Sequence, residues 1–546
     1  MSDMQHTDLW SFLSAKSRNL ETEIDALTRK RIGAYYTDLE LTDVMMSELV
    51  EYINTNISEK KIYEYRFLEP CVGAGNFVFS YIKAVRSTGI NKKMAQIMLD
   101  NIYVADVNVV ALNGYKESLK KIATLFWDIE LHDEYFEQHI GTGLLIDVTA
   151  TELKYKSISE VFPKEVVGKG FDIVVTNPPY KNLKAERGHY VCDDEYNRDK
   201  DKYSVISKIV SKRFKYSLDG VLNLYKLFAE EIIDRYANET AFVSLLIPVS
   251  IMSDKTCMKL RTHILMDNNM ISAKVIKEGS GFIDAKQALS AIFLRKGGKT
   301  DKVAVVKDYC NKPEDVAEVS IEDILNKDTG NAIVSISSKE YQILKKLRKF
   351  PVVKELPFVV NLRGELDLTA NKHSIVVTDT GYPLVRGKNI GYYNLLVASD
   401  NEFVVKDFVR DTKKKCYIEH ERIICQQIAN MNKERRVTFT LVPKNYVLGN
   451  SCNFISINEN SYGIDIYTLL GLFNTKLINW LFKLTSSNNH INNYEIDCFP
   501  IPIEATELKT ISVLARTFFD NHEDIILDEI EQLVYRAYGI TTSIRD

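Results

Sequence analysis

The sequence has no two cysteines at CxxC spacing. Its eight cysteines stand apart at positions 71, 192, 257, 310, 416, 425, 452 and 498. That argues against a zinc ribbon or a disulfide framework and points to reduced thiols in a cytoplasmic protein. The nine histidines show no ligand spacing either, so no metal is expected. Long apolar runs are also missing: none reaches the roughly 20 residues that a bilayer-spanning helix needs. The most apolar stretch, 241–252, is interrupted by Ser244, Pro248 and Ser250. The opening MSDMQHTDLW lacks both the basic and the apolar segment of a secretory leader. No charge of one sign dominates, since 70 basic against 74 acidic residues leave a net charge of -4. The chain as a whole is therefore not a basic wrapper of nucleic acid, although a local basic face stays open. Internal repeats and low-complexity tracts are absent. What remains is a globular composition, 45% hydrophobic and 26% charged, in 546 residues. That length allows about two to four domains.

Apolar spacing predicts an amphipathic helix over 8–31. From about 66 to 180, apolar strands alternate with helical segments: FLEP (67–70), NIYVADV (101–107) and FDIVVTN (171–177). AFVSLLIP (241–248) and SAIFLRKG (290–297) read as later strands. The alternation predicts an α/β domain with a mainly parallel sheet. The polar GGKTDK at 297–302 marks a junction, and the region from about 300 to 375 is mixed. Beyond Asp379 come short strand-like runs, loops and basic clusters, punctuated by Pro500 and Pro502, then a helical stretch over 508–538. The expected organisation is a helical segment over 1–30, an α/β domain over 31–305, a connecting region over 306–375, and a mixed α+β domain with C-terminal helices over 376–546.

Four short motifs carry chemistry. Glu69-Pro70-Cys71-Val72-Gly73-Ala74-Gly75-Asn76-Phe77 follows the first strand. Its glycines permit a tight turn and a close ligand approach, as in nucleotide-binding strand-to-helix turns. The third glycine of a dinucleotide site and the Lys of a P-loop are missing, which argues against NAD and ATP. Asp106 ends the next strand, where an acid suits either two ribose hydroxyls or a helix N-cap. Upstream, Gly33-Ala34-Tyr35-Tyr36-Thr37 reads as a small-ligand lid or a capped aromatic turn. The fourth motif, Asn177-Pro178-Pro179-Tyr180, closes a strand with an amide, two fixed carbonyls and a ring. Neither proline can donate to a sheet ladder, so the strand must stop there.

In this order the motifs resemble the gamma-class amino-methyltransferases, specifically N6-adenine DNA methyltransferases of the TaqI type, over most of residues 30–300. The resemblance implies a Rossmann-like class I domain that uses S-adenosyl-L-methionine. It assigns cofactor binding to Tyr35, Tyr36, Thr37, Glu69, Pro70, Gly73, Gly75, Asn76, Phe77, Asp106 and Asn177, and catalysis to Asn177, Pro178, Pro179 and Tyr180. Asn223-Leu224-Tyr225, ahead of Phe228, is similar to the family's helix beside the cofactor adenine. The chemistry suits the tetrad. Adenine's exocyclic amine is a poor nucleophile because its lone pair is delocalised into the ring. An Asn oxygen and a proline carbonyl that each accept one N–H would hold it out of plane, with fixed dipoles meeting the charge that develops. Tyr180 would stack on the flipped base. Two positions depart from the family pattern. Thr142, in Gly141-Thr142-Gly143-Leu144-Leu145, stands where an acid often touches the cofactor adenine. Cys257 and Met258 stand where an aromatic residue would cover the second face of the target base.

The C-terminal half extends the resemblance. Arg386-Gly387-Lys388-Asn389 is similar to the turn that opens the family's recognition domain. The strand-like Ile423–Gln427, the basic Lys433–Arg436, and the Asn/Ser-rich 486–494 follow. DNA contact is therefore expected at Arg386, Lys388, Asn389, Gln426, Arg435, Arg436, Asn489 and Asn492. Lys413-Lys414-Lys415 reads as a solvated face or as phosphate contacts. The expected protein is a monomeric, cytoplasmic, site-specific adenine methyltransferase acting on double-stranded DNA, the modification part of a restriction-modification or related defence system. Other readings are an N4-cytosine, ribosomal RNA or protein glutamine methyltransferase with the same tetrad, or a non-catalytic DNA-binding subunit. Only about thirty residues precede the first motif, fewer than a nuclease domain needs, so a restriction endonuclease would be a separate polypeptide.

Overall fold

The computed structural model describes residues 9–17, 37–57, 59–150, 152–281, 287–326, 329–396, 401–430, 433–486 and 489–541. It divides into two compact units, Met1–Ser337 and Ser338–Asp546.

The described residues of the first unit build one nine-stranded sheet. Its strands are β1 (Phe67–Glu69), β2 (Ile102–Asp106), β3 (Ile140–Thr142), β4 (Phe171–Thr176), β5 (Ala237–Pro248), β6 (Asn268–Ile276), β7 (Leu289–Lys296), β8 (Lys302–Val306) and β9 (Val316–Ser320). Across the sheet the order is β9-β8-β6-β7-β5-β4-β1-β2-β3. Strands β1 to β5 are parallel neighbours. β7 enters antiparallel between β5 and β6. The apolar run of β4 is explained by burial: Phe171, Ile173, Val174 and Val175 are all fully buried, as both-face coverage requires. Parallel strands need crossovers, and helices supply them: α1 (Leu39–Asn56) precedes β1, α2 (Asn76–Arg86) follows it, and α3 (Val109–Trp127) follows β2. Asp38 caps α1 through the Glu40 N–H, and Asn108 caps α3 through the N–H groups of Val110 and Ala111. Two further helices border the site, α4 (Leu224–Glu231) and α5 (Met258–Met266). One large core joins these layers, from Leu9 and Met46 through Phe67, Tyr81, Leu119 and Ile173 to Tyr309.

The second unit holds a four-stranded antiparallel sheet of β10 (Val359–Arg363), β11 (Arg422–Gln426), β12 (Phe439–Val442) and β13 (Cys452–Ile457), in the order β10-β13-β11-β12. Helices α6 (Ile466–Phe473), α7 (Lys476–Thr485), α8 (Leu508–Asn521) and α9 (Asp524–Ala537) follow. Its most buried ion pair joins Glu365 and Arg422. The second oxygen of Glu365 accepts the Leu448 N–H at 2.6 Å, so the carboxylate is bonded at both oxygens, as burial demands.

The structure modifies three expectations. The stretch 306–375 is not merely a connector, because β9 extends the first sheet, β10 belongs to the second, and the division falls between Ser337 and Ser338. The C-terminal helical stretch is two helices, broken where His522 adopts a left-handed φ of 56°. Of the helix expected over 8–31, residues 9–17 are helical and the rest lies outside the described residues.

Candidate active site and recognition domain

β1, β2 and β4 are parallel neighbours, so their C-terminal ends share one edge of the sheet. The strand order reverses on either side of β1, and such a switch point leaves a crevice beyond the strand ends. The three motifs that follow these strands meet there. The glycine loop takes left-handed φ at Gly73 (51°) and Gly75 (94°). A Cβ at Gly75 would lie 2.7 Å from Phe79 and from Tyr115, so no larger residue fits. Asp106 ties this loop to the end of β2: one oxygen accepts the Gly73 N–H at 2.8 Å, the other the Asn108 N–H at 2.8 Å. Burial pushes the Asp106 carboxyl above its ordinary pKa, and these backbone N–H bonds oppose the shift. Burial, and then the charge of Asp106, raises Glu69 further.

The resulting cavity is lined by Thr37, Glu69, Pro70, Cys71, Val72, Gly73, Ala74, Asn76, Phe77, Asp106, Val107, Asn108, Leu144, Ile146, Val148, Thr149, Asn177, Pro179, Leu224 and Phe228. Two acceptors here have no hydrogen-bond partner, Glu69 Oε2 and Asn76 Oδ1. Buried acceptors without partners suit a ligand that brings N–H donors, while Phe77, Val107, Leu144, Ile146, Leu224 and Phe228 form an apolar wall. This set fits S-adenosyl-L-methionine, which has an ammonium group on its amino-acid end and an aromatic base. Most of the cofactor residues expected from sequence gather here. Gly75 shapes the loop without lining the cavity, and Tyr35 and Tyr36 lie outside the described residues. The sequence did not assign Cys71, Val72, Ala74, Val107, Asn108, Leu144, Ile146, Val148 or Thr149 to the site. Their only signal was proximity to the ends of β1, β2 and β3. Thr142 is exposed, pairs with Asp106 in the sheet and does not line the cavity. The wall beyond it is apolar.

Asn177 follows β4 at the cavity rim. Its Nδ2 donates to Thr37 Oγ1 at 2.9 Å, and its Oδ1 accepts from the Tyr180 hydroxyl at 2.5 Å. That hydroxyl also lies 3.0 Å from the Leu246 carbonyl on β5. Pro179 lines the cavity, whereas Pro178 is buried. Helix α4 is pinned to the same segment, since the Leu224 N–H donates to the Lys181 carbonyl at 2.9 Å and Asn223 Nδ2 to Asn182 at 2.8 Å. The Tyr225 ring meets the Tyr180 ring edge-on at 6.5 Å. Cys257 is 1% exposed, with its thiol 3.3 Å from the Tyr225 hydroxyl. The sulfur expected to face a base is therefore buried behind Tyr225. Met258 is half-buried at the start of α5 and packs toward Gly330.

In the second unit the residues expected at DNA differ in exposure. Lys388 and Asn489 are exposed, and the Asn489 carbonyl accepts the Ala429 N–H at 2.9 Å. Arg386 forks onto Glu402, with Nε and Nη2 at 2.7 and 2.9 Å from its two oxygens. Asn389 is buried and accepts the Arg386 N–H at 2.8 Å. Arg436 is 1% exposed, over the Phe482 ring. Burial takes its guanidinium off the surface, the opposite of what phosphate contact needs. Arg435 donates to the Asn474 carbonyl at 2.6 Å and stacks on Tyr392. Gln426 is half-buried, and Asn492 Nδ2 bonds Glu495 at 2.9 Å.

Comparison with known families now bears on this geometry. Residues 100–281 match the Eco57I restriction-modification methylase model, and residues 382–501 the TaqI-like C-terminal specificity domain. The chain joins a restriction-modification methylase domain to a specificity domain. The methylase match spans β2 to β6 and includes the Asn177 tetrad. The specificity match spans β11 to β13 and the Asn/Ser-rich segment. Among solved structures the fold is similar to the type IIL restriction-modification enzyme MmeI in complex with DNA, at 12% identity and TM-score 0.50 over 97% of this chain and 79% of that one. It is also similar to the DrdV–DNA complex, at 11% identity and TM-score 0.50 over 96% and 60%. A modification subunit from Vibrio vulnificus YJ016 is 14% identical, with TM-score 0.34 over 53% of this chain. The chain spans about half of that subunit, 51% of its length. No curated protein sequence matches.

Proposed function

We propose that the protein is a site-specific DNA adenine-N6 methyltransferase that uses S-adenosyl-L-methionine and serves as the modification component of a restriction-modification or related defence system. The observation that carries this reading is the Asn177 amide at the rim of the cavity, its nitrogen tied to Thr37 and its oxygen turned toward Tyr180. When bound, the cofactor supplies an activated methyl group on a sulfonium. Glu69 and Asn76 offer their unpartnered acceptors to its amino-acid end, Asp106 stands at the position for its ribose, and the apolar wall takes its base. Asn177 Oδ1 and the Pro178 carbonyl accept the two N–H bonds of the target amine, which turns the nitrogen lone pair toward the methyl. These dipoles are fixed before the reaction, so they stabilise the developing charge without reorganising. Tyr180 stacks on the base, and its hydroxyl proton can move from Asn177 to the Leu246 carbonyl as the amine arrives. In the specificity domain the exposed Lys388 and Asn489 are the first candidates for DNA contact.

The test is transfer of labelled methyl groups from the cofactor to unmodified duplex DNA, followed by nucleoside analysis. N6-methyladenine is the expected product, whereas N4-methylcytosine or no incorporation overturns the reading. Asn177→Ala is expected to slow transfer by on the order of 10²–10³-fold while cofactor binding survives.

A further inference from the structure

Arginine only donates hydrogen bonds, so an amide paired with it must turn its oxygen inward and its NH₂ away. One such pair stands on the surface of the second unit. Arg363, exposed at the end of β10, donates from Nη2 to Gln427 Oε1 at 3.0 Å and from Nε to the Asn450 carbonyl at 2.8 Å. Both acceptors are neutral. That sets Arg363 apart from Arg386 and Arg422, whose charges are met by Glu402 and Glu365. One acid, Asp367, lies near, but its oxygens accept Asn450 Nδ2 and the Thr369 and Ala370 N–H groups, each at 2.9 Å. A second cation adds to the first, since Lys414 Nζ donates to the Arg363 carbonyl at 2.6 Å.

Nε and Nη2 share one edge of the guanidinium. With that edge engaged, the end formed by Nη1 and Nη2 keeps two parallel N–H donors. These donors, and the Gln427 NH₂, have no partner among the described residues. The Gln427 backbone is held on both sides. Its N–H donates to the Ser451 carbonyl at 2.9 Å, and its carbonyl accepts the Ile491 N–H at 2.7 Å. Ser451 Oγ in turn accepts the Gly387 N–H at 3.0 Å. The pair therefore stands between the turn that carries Lys388 and the segment that carries Asn489. Every group it offers is a donor. In the major groove guanine is the base that presents two neighbouring acceptors, N7 and O6, and a guanidinium end matches them. A phosphate contact needs only the charge, whereas a base edge needs the plane of the guanidinium fixed, as the two bonds here fix it.

We infer that Arg363 and Gln427 form a base-reading pair that selects a G·C base pair within the recognition sequence. The inference rests on the DNA-binding part of the function proposed above. The test is selection of duplexes from a random-sequence pool by the full chain with S-adenosyl-L-methionine present. Retained duplexes are sequenced, and single-position variants of the preferred site are compared by competition gel shift. The parent is expected to select a site with a G·C pair that Arg363→Ala no longer selects. There the preference for guanine, roughly 5–150-fold for a bidentate contact, should fall below about twofold, with the preferences at other positions kept. Gln427→Ala is expected to weaken that same preference and no other. Arg363→Gln should lose the guanine preference too, and it carries the comparison if the alanine protein does not fold. Equal weakening on every duplex, with a salt slope shallower by about one, would make Arg363 a phosphate contact and overturn the assignment. An unchanged preference, or a parent site without a G·C pair, overturns it as well. Because binding is the readout, a parent that selects a site but methylates nothing defeats the methyltransferase reading and leaves the Arg363 comparison intact. A parent that selects no site defeats both.

Discussion

One side chain, Asp106, serves both the glycine loop and the cavity. Its two oxygens accept backbone N–H groups of the glycine loop and of the α3 cap, and the residue also lines the cavity. Removing it frees the Gly73 N–H and takes a carboxylate from the cavity wall together. Asp106→Ala is therefore expected to weaken S-adenosyl-L-methionine binding by about 1–3 kcal/mol, with duplex binding largely intact. Calorimetry decides it: an unchanged dissociation constant would reduce Asp106 to a helix cap. The motif residues were legible in the sequence because each has a chemical reason to be where it is. The glycines mark left-handed turns, the prolines stop a ladder, and the acid ends a strand. Leu144, Ile146 and Val148 were not legible as site residues, because a buried apolar side chain looks the same whether it faces a core or a ligand. The internal contacts of two recognition candidates were hidden for another reason. The partner of Arg386 is Glu402 and the ring under Arg436 is Phe482, and no local pattern announces pairings at that separation.

Two elements owe their placement to single polar side chains. Asn474, 1% exposed at the end of α6, imitates a strand: its Oδ1 accepts the Phe439 N–H and its Nδ2 donates to the Phe439 carbonyl, both at 2.9 Å. Phe439 begins β12, so the amide fastens that strand to the helix. Asn474→Ala would strand the Phe439 N–H, at about 1–3 kcal/mol, while the Phe439 carbonyl keeps the Tyr393 N–H at 3.1 Å. A lowered denaturant midpoint would show the loss, and an unchanged one would mean that water takes over the bond. On α5, His263 sits between Asp234 (Nε2, 2.9 Å) and Asp267 (Nδ1, 2.7 Å), with the Tyr216 ring stacked on it at 4.0 Å. Burial lowers its pKa, but the two carboxylates outweigh that, and the net shift is upward. A pKa raised on folding stabilises below the unfolded value of about 6.5, and the gain disappears as pH rises through the folded value. His263→Gln should accordingly lower Tm more near about pH 5.5 than near about pH 8.5. Equal losses at both would show that the imidazole works here as a neutral hydrogen-bonding group. Of the first sheet, β1, β2, β4, β5 and β7 were readable, because burial on both faces writes a continuous apolar run. β8 and β9 were not, since at the edge their burial alternates, with Lys302, Val316 and Glu318 exposed.

At the scale of the molecule, each unit closes its own core. The first core is complete among residues between Leu9 and Cys310. The second unit has separate clusters around Ile424 and Phe454 and around Leu366 and Val447. A fragment of residues 1–337 is therefore expected to fold, to bind S-adenosyl-L-methionine, and to have lost sequence-selective DNA binding. A competition gel shift with the fragment and the full chain tests this. A fragment that still prefers one site would place recognition in the methylase domain. The polar junction at 297–302 looks like a domain end but is the short connection from β7 to β8, which lies beyond β6 in the same sheet, and the division between the units falls after Ser337.

The position of β1 has a consequence for how the protein is made. Phe67 pairs with Ile102 on one side and with Ile173 on the other. A ribosome adds about 5–20 residues per second, so the second partner is synthesised roughly 4–14 s after the first. Through that interval one edge of β1 stays open, with the unpaired backbone groups that invite wrong pairing. The nascent chain thus carries a sticky intermediate, and the crevice cannot close until the residues that complete it have left the exit tunnel. Ribosome-bound chains stalled shortly after Gly170 should be degraded by protease much faster than chains stalled well beyond Pro248.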